Sequence, residues 1–359
     1  MNSRVEYIRR VFVDQGTACR KLGSPFMGVL LDLLADRLAP ETAVGRAVFG
    51  WTGDPYPDAL ALRLTGALHG MVLDGTDPRL QAAYPPAETD PDALWIAVDA
   101  AMREHASRIL EWLDRPPQTN VVARSGMLLP SLLLIARETA MPMRLLELGS
   151  SAGLNLICDR FHYDYGKADW GDRDSPVQLA PRVRGRAPDL DGDLVIAERA
   201  GCDLHPLDPR EPKDRLRLMA YTWPDRTERL KQQATALMLA AKERANVVQA
   251  DIADWVEAQL RDMSHGRCTV VMHSVVWQYL PEETKIRICR ALEDAGTRAT
   301  ADAPIAWLRM EGIGGRGFAE LRLTRWPGGE TRFLAQCDWH GRWIEWQGSR
   351  ADAKFARAS

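Results

Sequence analysis

The stretch LLELGSSAGLNL, residues 145–156, limits the folds open to this chain more than any other. A short apolar run carries an acid, Glu147, two residues before Gly149; small residues follow, and then a second apolar segment. That is the grammar of a buried strand, a tight turn and a helix start. In open α/β sheets ligands bind at such junctions, beyond the carboxyl ends of the strands, where backbone N–H groups are exposed. Gly149 and Gly153 let the backbone turn sharply and come close to a ligand.

The chain on either side divides in character. From about residue 5 to residue 139 the apolar periodicity is helical. Leu60, Leu64, Leu68 and Met71 share a face, and Ile96, Ala100, Ile109 and Leu113 share one more loosely. Breakers such as GDPYPD and DRPPQTN separate the helices, and the boundary of this unit falls near 115–120. After Pro142 strands and helices alternate: MRLLEL, the end of DLVIAERAGCDL, NVVQAD, CTVVMHS and PIAWLRME are strands. AGLNLICDRF opens a helix, and PEETKIRICRALEDAG is a helix with Pro281 and two acids at its start. Residues 319–347 are strands joined by Pro-Gly-Gly and His-Gly turns. The expectation is an α/β fold: a mostly parallel, Rossmann-like sheet ending in a C-terminal antiparallel hairpin, with a helical N-terminal unit over 1–120, a sheet domain over 121–348 and a solvated tail over 349–359. GIGGRG, residues 312–317, is expected to be a loose loop.

With 359 residues, 46% of them hydrophobic and 26% charged, the composition is that of an ordinary globular protein with a large core. A formal net charge of −3 gives no electrostatic case for nucleic acid or an anionic membrane as partner. There is no apolar run of spanning length and no signal-peptide pattern in MNSRVEYIRRVF. Six scattered cysteines without a CxxC pair suggest a reducing cytoplasm. No HExxH or Cys/His cluster has zinc-ligand spacing, so no metal site is expected.

Four readings of the opening stretch compete. Glu147 at a strand end, with glycines beyond it, suits S-adenosylmethionine, whose amino-acid end carries an ammonium and whose sulfonium is positive. Gly149-Ser150-Ser151-Ala152-Gly153 also satisfies G-x-S-x-G, with Ser151 as a nucleophile and His340 or His273 as its base. A hydrolase elbow, however, usually follows several strands and an oxyanion loop, and here the preceding part is helical. A dinucleotide fingerprint fails twice, at Ser151 and Leu154. The last reading is a plain strand-to-helix turn. Later strand ends favour the cofactor. In AGCDLHP, Asp203 can accept from a ribose diol, or simply form an Asx turn. In VVQADIADW, Asp251 can take an adenine amino group with Ile252 beside the ring, or simply cap a helix.

LELGSSAGLNL, GCDLHP, VVQADI and VVMHSVVWQYLP together resemble the successive motifs of class I S-adenosylmethionine-dependent methyltransferases over residues 143–346. QTNVVARSGMLLP, GCDLHPLDP, AYTWPD and HSVVWQYLP more closely resemble an uncharacterised bacterial family, domain of unknown function twenty-three thirty-two. The first resemblance implies a cofactor site of Glu147, Gly149, Ser150, Ser151, Gly153, Asn155, Asp203, Asp251 and Ile252. It departs at Ser151, where the motif has glycine; a serine can still offer its N–H and hydroxyl to the cofactor carboxylate. Past the fourth strand, His273 would be a general base or orient the acceptor, since imidazoles as a class titrate near neutrality. The competing explanation is a histidine satisfied by backbone groups. Trp277 and Tyr279 would wall the acceptor space. Arg124, in QTNVVARSG, could bind an acidic acceptor or form an ion pair. The expected activity is methyl transfer to a small molecule, with the helical unit covering the acceptor; a non-catalytic, cofactor-binding sensor is the alternative from another class.

Overall fold

The computed structural model describes residues 2–348 apart from Thr89, Arg244, Met263, Ile313 and Gly315. The expected tail, 349–359, and Ile313 and Gly315 of the expected GIGGRG loop lie outside the described residues. Close contacts divide the chain into two compact units, Met1–Thr119 with Glu211–Ala234, and Asn120–Arg210 with Thr235–Ser359.

The first unit is helical: α1 (Asn2–Lys21), α2 (Pro25–Arg37), α3 (Ala43–Phe49), α4 (Leu60–Leu73), α5 (Pro78–Ala83), α6 (Pro91–Glu104) and α7 (Ala106–Leu113). Its centre is α4, whose Leu60, Leu64, Leu68 and Met71 are fully buried, as their spacing requires. The second expected face is corrected. His105 separates α6 from α7, so Ile96 and Ile109 are not on one helix. Ile96 is 70% exposed, and α6 buries Leu94, Val98, Ala101 and Met102 instead.

The second unit contains α8 (Ser125–Thr139), followed by a sheet built on β1 (Met143–Leu148). Residues 162–184, polar in sequence, carry β2 (His162–Asp164), β3 (Asp169–Trp170) and β4 (Gln178–Leu179) in a small sheet of their own, and then β5 (Arg182–Arg184). β6 (Ile196–Asp203) is followed in the chain by α9 (Pro212–Ala220), which belongs to the first unit, and by α10 (Thr227–Glu243), which begins in the first unit and ends in the second; Pro224 lies between the two helices. Then come β7 (Asn246–Gln249), α11 (Ile252–Gln259), β8 (Cys268–Ser274), α12 (Glu282–Arg298), β9 (Ile305–Gly312), β10 (Ala319–Trp326), β11 (Glu330–Cys337) and β12 (Trp343–Trp346).

Among the described residues, nine strands form one sheet in the order β5-β12-β11-β10-β9-β8-β1-β6-β7. From β7 to β9 every pair is parallel, and from β9 to β12 every pair is antiparallel. All seven residues of β8 are buried, as a central parallel strand covered on both faces must be. One face packs Leu146, Leu148, Ala200, Cys202 and Val271 against Ile252 and Val256 of α11 and Ile288 and Leu292 of α12. β5 joins the far edge parallel to β12; its sequence, Arg-Val-Arg, carries too little apolar signal to announce a strand.

The order fixes where a ligand can sit. From β1 the chain steps outward to β6 and β7, then returns to β8 on the other side of β1 and continues to β9. Successive connections therefore leave β1 and β8 in opposite directions, which opens a crevice at the carboxyl ends of these two strands. Leu148 and His273 are register partners at that point.

Candidate functional site

At the end of β1 the chain turns through Gly149 at φ +71°, Ser151 at +53° and Gly153 at +75°, all in the left-handed region. A Cβ on Gly149 would lie 2.7 Å from Val276 Cγ2, and one on Gly153 would lie 3.0 Å from Val247 Cγ2. Both glycines are therefore demanded by conformation and by neighbours. The expected helix after the turn is instead a 3-10 segment, Leu154–Arg160, broken at Ile157. Five successive side chains, Leu154 to Cys158, are buried, which no single α-helical face can achieve. The Leu154 N–H is drawn off to Asn120 Oδ1 at 2.9 Å, and Arg199 donates to the Leu156 carbonyl at 3.0 Å.

The turn is bonded closely to β6. Gly149 N and Ser150 N donate to the Cys202 carbonyl at 2.9 and 3.0 Å, and Ser150 Oγ donates to the same oxygen at 3.3 Å. Ser151 N donates to Asp203 Oδ2 at 2.9 Å, and Gly153 N to the Ser150 carbonyl at 2.7 Å. The Ser151 N–H expected to face a ligand is thus already engaged; its buried hydroxyl has no partner among the described residues, a histidine included.

Glu147, Asp203 and Asp251 end three neighbouring strands, and all three charges act on the Cys202 thiol, which burial and those acids push up to about 12. Glu147 is 1% exposed, accepts from Asn155 Nδ2 at 2.8 Å, and leaves Oε2 buried without a partner among the described residues. Burial pushes its carboxyl up to about 8, against the bond from Asn155 and the nearby Arg124 charge. Asn155 is fixed in turn by Ser125 Oγ at 2.9 Å. Asp203 forms the Asx turn, accepting from His205 N at 2.9 Å in addition to Ser151 N. Asp251 is exposed and caps α11 through Ala253 N at 2.9 Å and Asp254 N at 3.1 Å. Ile252 belongs to the core beneath α11.

Near the end of β8, His273 is 1% exposed and its Nδ1 lies 2.7 Å from Glu311 Oε1 on β9. The bond is to a side chain, not to the backbone, and Nε2 is buried with no partner among the described residues. The Trp277 ring stacks on the imidazole at 5.1 Å and 16°, and Trp307 flanks it at 5.9 Å. Tyr279 is 72% exposed, on the short turn beyond. Val275, a β-branched residue, is held at φ +57° where β8 ends. Arg124 is buried beside these groups, donating to the carbonyls of Trp339 at 2.9 Å and Ser274 at 3.3 Å. Burial lowers its pKa, opposed by the charges of Glu311, Tyr279 and Glu147. Sequence reasoning passed over Glu311, although the rule that selected Asp203 and Asp251, an acid at a strand's carboxyl end, would have selected it.

A cavity of about 350 Å³ lies beside the turn, lined by Ala152, Leu207, Asp208, Arg210 and Val247 among others. Its wall does not include Glu147, Asp203 or Asp251. In the helical unit Asp77, Glu104 and His105 converge, but Arg79 already bridges the two carboxylates.

The family model described as "Uncharacterized protein conserved in bacteria (DUF2332)" matches residues 9–346. No curated protein and no solved structure matches the chain.

Proposed function

The chain belongs to this bacterial family, and we propose that it is an S-adenosylmethionine-dependent methyltransferase with a Rossmann-like sheet, acting on a small molecule in the cytoplasm. The observation that carries the reading is the switch point at the carboxyl ends of β1 and β8: at or just beyond these strand ends three buried polar atoms, Glu147 Oε2, Ser151 Oγ and His273 Nε2, have no partner among the described residues. Buried polar groups are almost always satisfied, so three orphans at neighbouring strand ends call for a partner.

The fit to S-adenosylmethionine is one of side chains. The Ser151 hydroxyl and Glu147 Oε2 are the atoms that would meet the cofactor's amino-acid end. The carboxylates of Asp203 and Asp251 can each accept several hydrogen bonds, which suits hydroxyl and amino donors. Gly149, Ser150 and Gly153 shape the turn, Asn155 orients Glu147, and Ile252 supports the strand end. When bound, the cofactor supplies an activated methyl group, so the protein's share is alignment, water exclusion and removal of a proton. His273 is the residue for that last role, with Trp277 as a wall and Tyr279 at the exposed rim.

The hydrolytic alternative has one feature in its favour, the left-handed φ of Ser151 in a G-x-S-x-G turn. It lacks the bond between nucleophile and base. Thermal shift against S-adenosylhomocysteine tests the main reading: an increase in Tm that grows with ligand concentration is expected. No shift, together with fluorophosphonate labelling of Ser151, would replace the methyltransferase with the esterase. A shift with no methyl transfer to any acceptor tried would leave a sensor.

A further inference from the structure

We propose that Glu311 is a positioning residue that fixes the tautomer of His273, and that the site thereby takes an aromatic hydroxyl as acceptor and receives its proton on Nε2. The inference rests on the methyl-transfer reading for the fate of the acceptor oxygen. It rests on geometry for everything else.

The carboxylate of Glu311 has no proton to offer, so the hydrogen in its 2.7 Å bond with His273 belongs to Nδ1. The same Oε1 also accepts from Val276 N at 3.1 Å, which holds the carboxylate in place as the ring's partner. A neutral imidazole with its hydrogen on Nδ1 carries its lone pair on Nε2, and that is the nitrogen left without a partner. A histidine packed only for structure would have both nitrogens satisfied. His69, in the helical unit, shows that pattern: Nδ1 lies 3.0 Å from the Ala220 carbonyl, the Thr222 backbone also accepts from the ring, and neither nitrogen is left without a partner.

The surroundings select the acceptor. Trp277 and Trp307 lie 5.8 Å apart and both flank the imidazole, so the ring stands among aromatic surfaces of the kind that suit another aromatic ring. Glu311 from β9 is the ionisable group bonded to His273, and Arg124, from the segment before α8, lies beside them, its charge felt by Glu311, by Tyr279 from the turn after β8 and by Glu147 from β1. Arg124 donates to two carbonyls and supplies the cationic charge of this group. In the step, the acceptor's O–H bond breaks heterolytically: the proton goes to the Nε2 lone pair and the electron pair stays on oxygen. Glu311 balances the imidazolium charge and Arg124 the oxyanion. Nothing is oxidised or reduced, and the proton later leaves to water.

The test uses the full chain and 4-nitrophenol, whose ionised form absorbs in the visible, at a pH where the free phenol is mostly neutral. S-adenosylhomocysteine is present in one arm and absent in the other. Binding is expected to raise the phenolate band, His273→Gln to abolish it, and Glu311→Gln to lower the bound phenolate fraction at least tenfold, with partial recovery in Glu311→Asp. In ring ¹⁵N spectra the His273 signal, assigned by its loss in His273→Gln, should be that of a fixed Nδ1–H tautomer in the wild type and in Glu311→Asp, but mixed in Glu311→Gln. Should either Gln variant fail to fold, the wild-type band and the wild-type tautomer still decide. No band in the wild type, a band untouched by His273→Gln, or an unchanged tautomer in Glu311→Gln each overturns the proposal. S-adenosylhomocysteine binding without a band removes this inference and spares the cofactor. A band without such binding keeps the proton-accepting site and removes methyl transfer.

Discussion

Glu147 and His69 show how burial, outweighing the bonds that oppose it, sets the pH response of single residues. Burial raises the Glu147 carboxyl from its ordinary 4.5 to about 8. The folded state therefore holds a proton that the unfolded chain releases, and stability present below the ordinary carboxyl range is lost as pH rises through 8. His69 runs the other way. Burial lowers it from 6.5 to about 4, so its contribution is present above 6.5 and lost as pH falls through 4. Glu147→Gln should flatten the alkaline limb of the stability profile. The change is a few kcal/mol at most, because each tenfold difference in proton affinity is worth about 1.4 kcal/mol. His69→Gln should flatten the acid limb. Melting temperature against pH for the three proteins checks both. Gly149→Ala forces a left-handed alanine against Val276 and should cost about 2–3 kcal/mol in denaturant titration. Adding Val276→Ala should return the steric part and leave the conformational cost of roughly 1–2 kcal/mol.

Among the elements, those carried by a strong period were legible in sequence, and those formed by local bonding were not. β1, β8 and the helix after Pro281 read directly from their apolar runs and capping residues. The segment after Gly153 did not. Its Leu-Asn-Leu-Ile spacing fits a helix, but buried surroundings on every side and outside partners for Leu154 and Leu156 hold it as a 3-10 turn. Acids at strand ends were visible as a class, and their roles were not. Asp251 shows why: the same side chain can cap α11 and meet a ligand. Asp251→Ala should cost about 1 kcal/mol through the lost cap. A matching loss of S-adenosylhomocysteine affinity by calorimetry would give it the second role, and unchanged affinity would leave the cap alone.

In the molecule as a whole, the helical unit is completed by residues from far along the chain. α9 buries Leu218 and Ala220, the Ala220 carbonyl meets His69, and a Cβ on Gly66 would lie 2.4 Å from the Tyr221 ring. Residues 1–119 alone should therefore melt well below their temperature in the full chain, and a peptide of residues 211–234 added in trans should raise that midpoint. Calorimetry of the fragment with and without peptide checks this, and an unaffected midpoint would mean the helices close without α9.

Apolar periodicity determined, from the sequence by itself, that helices precede an α/β sheet with a C-terminal hairpin, because that pattern is local and survives in any window of the chain. It also marked Glu147 and His273 as chemistry-bearing strand ends. Only the tertiary structure decided that these two lie at the ends of neighbouring parallel strands, that Glu311 holds the His273 ring, and that the turn's N–H groups are bonded to β6. Strand order and hydrogen-bond partners join residues from tens of positions to more than a hundred apart, and no local period encodes which strands become neighbours.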